Sequence, residues 1–147
     1  MLIFDLNDVA QELVRRGYAA QVVKTPAEAQ AAVLAEAETA ASVAWGGSET
    51  LKQIGVREAL AAAGKEIRDH AIEADLFLLS ANALTADGRI VNIDGRGNRV
   101  AASIGGPKRV VYVVGRNKIV VGGVDDAIAR IKRVACPANT RRLGKRT

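Results

Sequence analysis

Cysteine, histidine and aromatic side chains are scarce in this chain: one Cys, one His, one Trp, two Tyr and two Phe in 147 residues. A single cysteine, Cys136, excludes an internal disulfide and any all-cysteine metal or iron–sulfur site, so this chain alone cannot carry electrons through a cluster. Cys136 stands before Pro137 at an expected helix end, where a partly buried free thiol is the ordinary reading. His70 lies in a polar Arg68-Asp69-His70 stretch that reads as a surface turn rather than a ligand or base. With so few aromatics the core must be thin and packed from Val, Ile, Leu and Ala, which suits helices laid closely against a parallel sheet. No apolar run approaches the roughly 18 residues of a membrane span, and Met1 to Phe4 lacks a basic region followed by a long apolar core. The expectation is a soluble, cytoplasmic protein.

The formal charge of +5 is unevenly spread. Arg141, Arg142, Lys145 and Arg146 supply four of those charges, and no acid follows Asp126. The remainder of the chain is therefore close to neutral. A basic tail of this kind is more often a solvated end than a nucleic-acid grip, and stacking residues are missing, so no nucleic-acid partner is expected. Length and a hydrophobic content of 49% fit one domain over residues 1–147, with 139–147 as a basic C-terminal tail.

Strand and helix signals alternate. Asp5 or Asn7 can cap a helix carrying Val9, Ala10, Leu13 and Val14, with Gly17 as its stop. Tyr18 to Val23 reads as a strand. Thr25-Pro26-Ala27-Glu28 is a capping box opening a helix to about Glu38. Ala41 to Trp45 is a short buried strand, ended by Gly46-Gly47-Ser48-Glu49-Thr50. In a continuous helix after that loop, Leu51 and Leu60 would lie about 180° apart, so a break is expected near Gly55. Lys65 to Arg68 and Asp75 to Ser80 are further strands, the second buried on both faces. Ser80 to Ala86 is a loop containing Asn82. Asp87-Gly88 turns the chain into a strand from Arg89 to Asp94, Asn98 caps a short helix through Ile104, and Gly105-Gly106-Pro107 ends it. Arg109 to Val114 and Ile119 to Val121 are strands. A last helix carries Val124, Ala127, Ile128, Ile131, Val134 and Ala135 as one stripe, with Arg130, Lys132 and Arg133 opposing the negative end of its dipole. The alternation predicts an α/β fold with a mostly parallel sheet flanked by helices.

Polar loops at the C-terminal ends of parallel strands are where open α/β sheets bind ligands. Three such loops, Gly46 to Thr50, Ser80 to Thr85 and Gly115 to Lys118, are expected to converge with Asn92 to Arg99. In the last segment Gly95 and Gly97 permit sharp turns and outward N–H groups, and period-2 alternation predicts that Asn92 and Asp94 emerge together. Removing both of those side chains should then leave the apo melting temperature nearly unchanged. Gly46, Gly47 and Ser48 lead from strand to helix and could face an anion; the competing reading is a tight turn with Ser48 as cap. The segment is not a phosphate loop of the Walker type, because no Gly precedes Lys52 directly. Gly95-x-Gly97 lacks the third glycine of a dinucleotide fingerprint. Arg99 and Lys118 could neutralise an anionic ligand. Glu49 and Asp94, the carboxylates inside these loops, are weak candidates for a general base, and the catalytic residues are otherwise unassigned.

The ordered set Val43-Ala44-Trp45-Gly46-Gly47-Ser48, Asp75-Leu76-Phe77 with Ala81-Asn82-Ala83-Leu84-Thr85, Asp87-Gly88-Arg89-Ile90-Val91-Asn92-Ile93-Asp94-Gly95-Arg96-Gly97-Asn98-Arg99-Val100-Ala101, and Val114-Gly115-Arg116-Asn117-Lys118-Ile119-Val120 closely resembles the LUD domain family, that of lactate-utilisation protein C and its relatives. More distantly it is similar to the superfamily of ribose-5-phosphate isomerase, glucosamine-6-phosphate deaminase and coenzyme A transferases. The resemblance implies a Rossmann-like, isomerase/CoA transferase-like α/β fold. It further implies that Gly46, Gly47 and Ser48 form an anion loop, with Asn82, Asp94, Asn98 and Lys118 lining the same cleft. Family members implicated in L-lactate oxidation to pyruvate act alongside an iron–sulfur protein. With one thiol here, no cofactor is expected in this chain, and a cluster belongs to a partner, an iron–sulfur lactate-utilisation subunit. The implied ligand is a small carboxylate or phosphorylated compound; a homo-oligomer is compatible with the sequence. The alternative function is a stand-alone enzyme of the sugar-phosphate isomerase or acyl/CoA-transfer type. The stretch between Ile67 and Asp75 is shorter than in typical members, and many relatives continue beyond Arg146-Thr147 into a cysteine-containing tail.

Overall fold

A computed structural model describes residues 4–145. Met1 to Ile3, part of the expected leader-free N-terminus, and Arg146 of the basic tail lie outside the described residues. The helices are α1 (Leu6–Arg15), α2 (Pro26–Glu36), α3 (Glu49–Gln53), α4 (Val56–Ala62), α5 (Asn98–Ile104), α6 (Val124–Arg130) and α7 (Cys136–Leu143). The strands are β1 (Ser42–Trp45), β2 (Glu66–Ile67), β3 (Leu76–Leu79), β4 (Ala83–Thr85), β5 (Ile90–Val91), β6 (Arg109–Tyr112) and β7 (Ile119–Val120). They form two compact units, one from Val23–Ser80 and Asp94–Val114, the other from the chain up to Val22, Ala81–Ile93 and Gly115 onward. Among the described residues no helix is long and apolar enough to cross a membrane.

The first of these, the sheet unit, holds a four-stranded sheet in the order β2-β1-β3-β6 with every pair parallel. Alternation along the strands sends Val43, Leu76 and Leu78 to one face and Ala44, Phe77 and Leu79 to the other. On the first face they meet Ala29 and Val33 of α2, Leu51 of α3, and Val56 and Leu60 of α4. On the second they meet Ala102 of α5. All four residues of β3 are buried, as a sheet covered on both faces requires. Alanines at the helix contacts let backbones approach closely, which is how so few aromatic rings suffice. This is the α/β architecture expected from the alternation, a mostly parallel sheet flanked by helices, and it is consistent with the Rossmann-like fold that the resemblance implies. Gly55, at φ +63°, separates α3 from α4 where the apolar stripe changes sides.

The second, the hairpin unit, has a sheet of order β5-β4-β7, antiparallel between β4 and β5 and parallel between β4 and β7. Ala127 and Ile131 cover it, packing with Ala83, Val91 and Val120. Gly88 sits at φ +82°, and a Cβ there would lie 2.8 Å from the backbone of Glu12 in α1. Arg16 fastens the same turn, its Nε donating to the Asp87 carbonyl at 2.8 Å and its Nη2 pairing with the Asp87 carboxylate at 3.3 Å. The Thr85 hydroxyl holds the Asp87 carboxyl below its ordinary range against the opposing effect of desolvation, with lesser help from the neighbouring Arg89 and Arg16.

Several expectations fail on particular physics. Tyr18 to Val23 is irregular rather than a strand: β-prone residues set extended angles, but a strand also needs a neighbouring edge. The expected loop Ser80 to Ala86 contains β4, and the strand expected from Arg89 to Asp94 is only Ile90–Val91. Asn98 is the first residue of α5 and not its cap; Gly97, at φ +72°, takes that position. The last helix does not stop before Pro137. It widens into a π turn at Ile131–Ala135 and continues as α7, so the helical start absorbs the missing proline N–H and part of the expected tail is helical.

Candidate functional site

β1 leads directly into the glycine loop. The Gly46 N–H donates to the Leu78 carbonyl at 2.9 Å, which carries the sheet ladder one residue beyond Trp45. Ser48 is the N-cap of α3, its hydroxyl accepting the Leu51 N–H at 3.2 Å. This is the tight turn with Ser48 as cap, and the hydroxyl keeps its hydrogen for donation. Gly47 and Glu49 are exposed.

Arg99 meets this loop. A Cβ on Gly46 would fall 2.8 Å from both Cγ and Cδ of Arg99 and 3.5 Å from Cζ of Phe77. Glycine is therefore required here by close approach, because the arginine side chain crosses over the strand end. Its guanidinium is held by Asp94: Nε donates to Oδ1 at 2.7 Å and Nη2 lies 2.6 Å from the same oxygen. The other oxygen, Oδ2, accepts the Val100 N–H at 2.7 Å. Gly97 has no side chain with which to cap α5, and Asp94 supplies the missing acceptor from three residues upstream. Both partners are buried, at 4% exposure for Asp94 and 11% for Arg99. Asp94 thus acts as an anchor, and the assumption that it could be removed without cost to the apo protein does not survive its burial. Gly95, Gly97 and Asn98 are exposed, and a Cβ at Gly95 or Gly97 would meet nothing within 4 Å. Of the two glycines only Gly97 has positive φ, so the conformational demand attributed to Gly95 is absent.

Asn82, Asn92 and Lys118 belong to the hairpin unit. The strand alternation that would present Asn92 and Asp94 together ends at Val91. Instead, Asn82 and Asn92 lock reciprocally: the Asn82 N–H donates to Asn92 Oδ1 at 2.9 Å, and the Ile93 N–H donates to Asn82 Oδ1 at 3.0 Å. Lys118 is half-buried at the end of a 3-10 turn, Arg116–Lys118. Arg130 joins two of these loops by donating to the carbonyl of Asn82 and, at 3.1 Å, to that of Asn117. Burial pushes its guanidinium pKa down. The sequence assigns Arg130 to the helix dipole; nothing in its spacing reveals the two carbonyls it reaches.

A second residue missed by pattern is Arg57, whose guanidinium carbon stands 5.0 Å from the centroid of the Trp45 ring. At the opposite end of the parallel strands, Asp75 Oδ2 accepts the N–H groups of Ala41 at 3.0 Å and Ser42 at 3.1 Å, while Oδ1 pairs with Lys108 at 2.6 Å. The Lys108 hydrogen bond, followed by those two N–H groups, holds its carboxyl at about 2. A hollow of about 400 Å³ lies there, lined by Thr39, Asp75 and Lys108 among others, and a groove of about 470 Å³ runs along Ala10, Val14 and Val22 of the hairpin unit. Neither includes a site residue expected from sequence. Among the described residues no group of three or more His, Cys, Asp or Glu side chains could hold a metal ion.

No curated protein and no solved structure matches this chain. The family model described as LUD domain, a domain associated with lactate-utilisation proteins, does match, over residues 6–147. With nearly its whole length inside that match, the chain belongs to the LUD domain family.

Proposed function

We propose that this LUD-domain protein is a non-redox component of a lactate-utilisation system, serving L-lactate oxidation to pyruvate by binding a small anionic ligand. The observation that carries the reading is the contact of Arg99 with Gly46, which ties a guanidinium-bearing segment to the loop after β1. Strand-end loops of parallel sheets are recurrent ligand sites, and family membership supplies the link to lactate. The ligand is a carboxylate or a phosphorylated compound. Any electron transfer falls to an iron–sulfur partner subunit, since Cys136 is the only cysteine available.

The alternative, a stand-alone enzyme of the sugar-phosphate isomerase or coenzyme A transferase type, is suggested by the same fold and by the distant likeness to that superfamily. It needs an accessible base or nucleophile. Asp94 is committed to Arg99 and Val100, and the other candidate base, Glu49, is exposed at the start of α3. Thermal-shift titration of the purified chain with L-lactate, sugar phosphates and coenzyme A esters separates the readings. Saturable stabilisation without turnover is expected; at a hundredfold excess over Kd it amounts to about 2.7 kcal/mol. Turnover of a sugar phosphate or acyl-coenzyme A by the isolated chain would establish the alternative, and no stabilisation by any anion would remove the first reading.

A further inference from the structure

Each of α1 to α6 buries at least one residue, whereas α7 buries none. A helix of this length does not persist on propensity alone, so α7 is held by its continuity with the π turn and α6 and by the half-buried Ala135 and Cys136, which pack against the hairpin core. On the outer side the helical period brings Arg133, Val134, Ala138 and Arg141 to one face, and all four are exposed. From Ile131 to Lys145 there are five cations and no acid. Several exposed cations elsewhere sit against carboxylates, Arg15 against Glu12, Lys108 against Asp75 and Arg109 against Glu36. Among the described residues Lys132, Arg133, Arg141 and Lys145 have no ion pair. The helix dipole accounts for Arg141 and Arg142 in the last turn, but Lys132 and Arg133 lie in the π turn, outside the reach of that effect.

We propose that this outer face of the π turn and α7 docks the protein reversibly on an anionic lipid surface. The argument is charge complementarity: a helical cluster of about four to eight uncompensated cations matches acidic headgroups, and each cation brought to such a surface strengthens partition by roughly fivefold. Val134, between Arg133 and Arg141, and Leu143, at the helix end, are exposed apolar side chains that a bilayer interface covers while the guanidinium groups stay with the headgroups. No aromatic ring lies between Ile131 and Lys145, so nucleobases have nothing there to stack upon. With so little hydrocarbon on the face, the helix rests on the bilayer without entering it deeply, and the attraction is mainly electrostatic and sensitive to salt.

The full chain is sedimented with vesicles of phosphatidylcholine containing about one-third phosphatidylglycerol, and with vesicles of phosphatidylcholine alone, at low and at raised potassium chloride. Binding to the anionic vesicles alone is expected, weakening as salt rises. The double variant Arg133→Gln with Arg141→Gln should lose at least about tenfold in partition at an unchanged melting temperature, and Arg133→Lys with Arg141→Lys should keep most of it because the charges remain. Lys24→Gln with Lys52→Gln removes the same net charge from exposed positions of the sheet unit and should change partition by less than about twofold. No sedimentation with anionic vesicles at low salt, equal binding to both vesicle types, or equal losses in the two glutamine double variants would overturn the proposal. So would displacement from the vesicles by an equal charge concentration of duplex DNA or of poly-L-glutamate, which would assign the face to a nucleic acid or to an acidic polypeptide instead.

Discussion

Asp75 and Asp94 both hold backbone N–H and one cation around a carboxylate, two N–H groups for Asp75 and one for Asp94, yet Asp75 faces Lys108, whose side chain is 81% exposed, and Asp94 faces Arg99, at 11%. Water screens the first pair and the ammonium is a mobile point charge, so such a contact contributes little. In the second the planar guanidinium is locked by two donors and by packing over Gly46, and removal of either member strands a buried charge. The lesson concerns placement. At the start of the strands a carboxylate trims exposed chain ends; beyond their C-terminal ends the same group fixes the geometry of a loop.

The largest expected effect is that of Asp94→Ala, which leaves Arg99 without its counter-charge and the Val100 N–H without its acceptor. Urea denaturation should show a loss of about 3–5 kcal/mol. A loss below about 1 kcal/mol would make the two carboxylates equivalent and break the contrast.

Gly46→Ala comes next, with an expected loss of about 1–3 kcal/mol as the new methyl group displaces Arg99. Most of that loss should vanish when the substitution is made in an Arg99→Ala background, because the clash is with that side chain. Additive losses in the double-mutant cycle would locate the strain elsewhere.

The smallest effects belong to Asp75. Its carboxyl is lowered to about 2 in the folded chain from an ordinary 3.8, so its stabilising contribution is fully present above the latter value and is lost as pH falls through the former. Thermal melts of wild type and Asp75→Asn should therefore differ at about pH 5 and converge toward about pH 2. A gap that persists unchanged at the acid end would show that the carboxylate charge is not what the mutation removed.

Much of the fold was legible because local chemistry and tertiary demand agree. The four consecutive apolar residues Leu76 to Leu79 could only be buried on both faces, the reversal of stripe between Leu51 and Leu60 required a break, and Gly55 provided it. Where pairing with distant chain decides, pattern was silent. Tyr18 to Val23 has strand chemistry without a strand, and Ala83–Thr85 becomes one because Ile90 and Ile119 flank it. The site was legible at the level of loops and not of side-chain roles. Asp94 is expected to emerge beside Asn92 into the ligand site only because strand alternation is carried three residues too far, whereas its position upstream of the side-chain-less Gly97 is what makes it a cap. Arg57 and Arg130 carry no motif; each finds its partner through space, Trp45 in one case and two carbonyls in the other.

The division of the chain at Val22, Ser80, Ile93 and Val114 bears on the order in which the protein is completed as it leaves the ribosome. All residues of the sheet unit have been synthesised once Val114 has emerged. α1, which precedes the sheet unit in the chain, packs upon the turn at Gly88, and the hairpin sheet needs β7 and α6, which follow Val114. The nascent chain therefore passes through a stage at which every residue of the sheet unit is present while the hairpin sheet still lacks β7 and α6, and a pause in translation shortly after Val114 would prolong that stage.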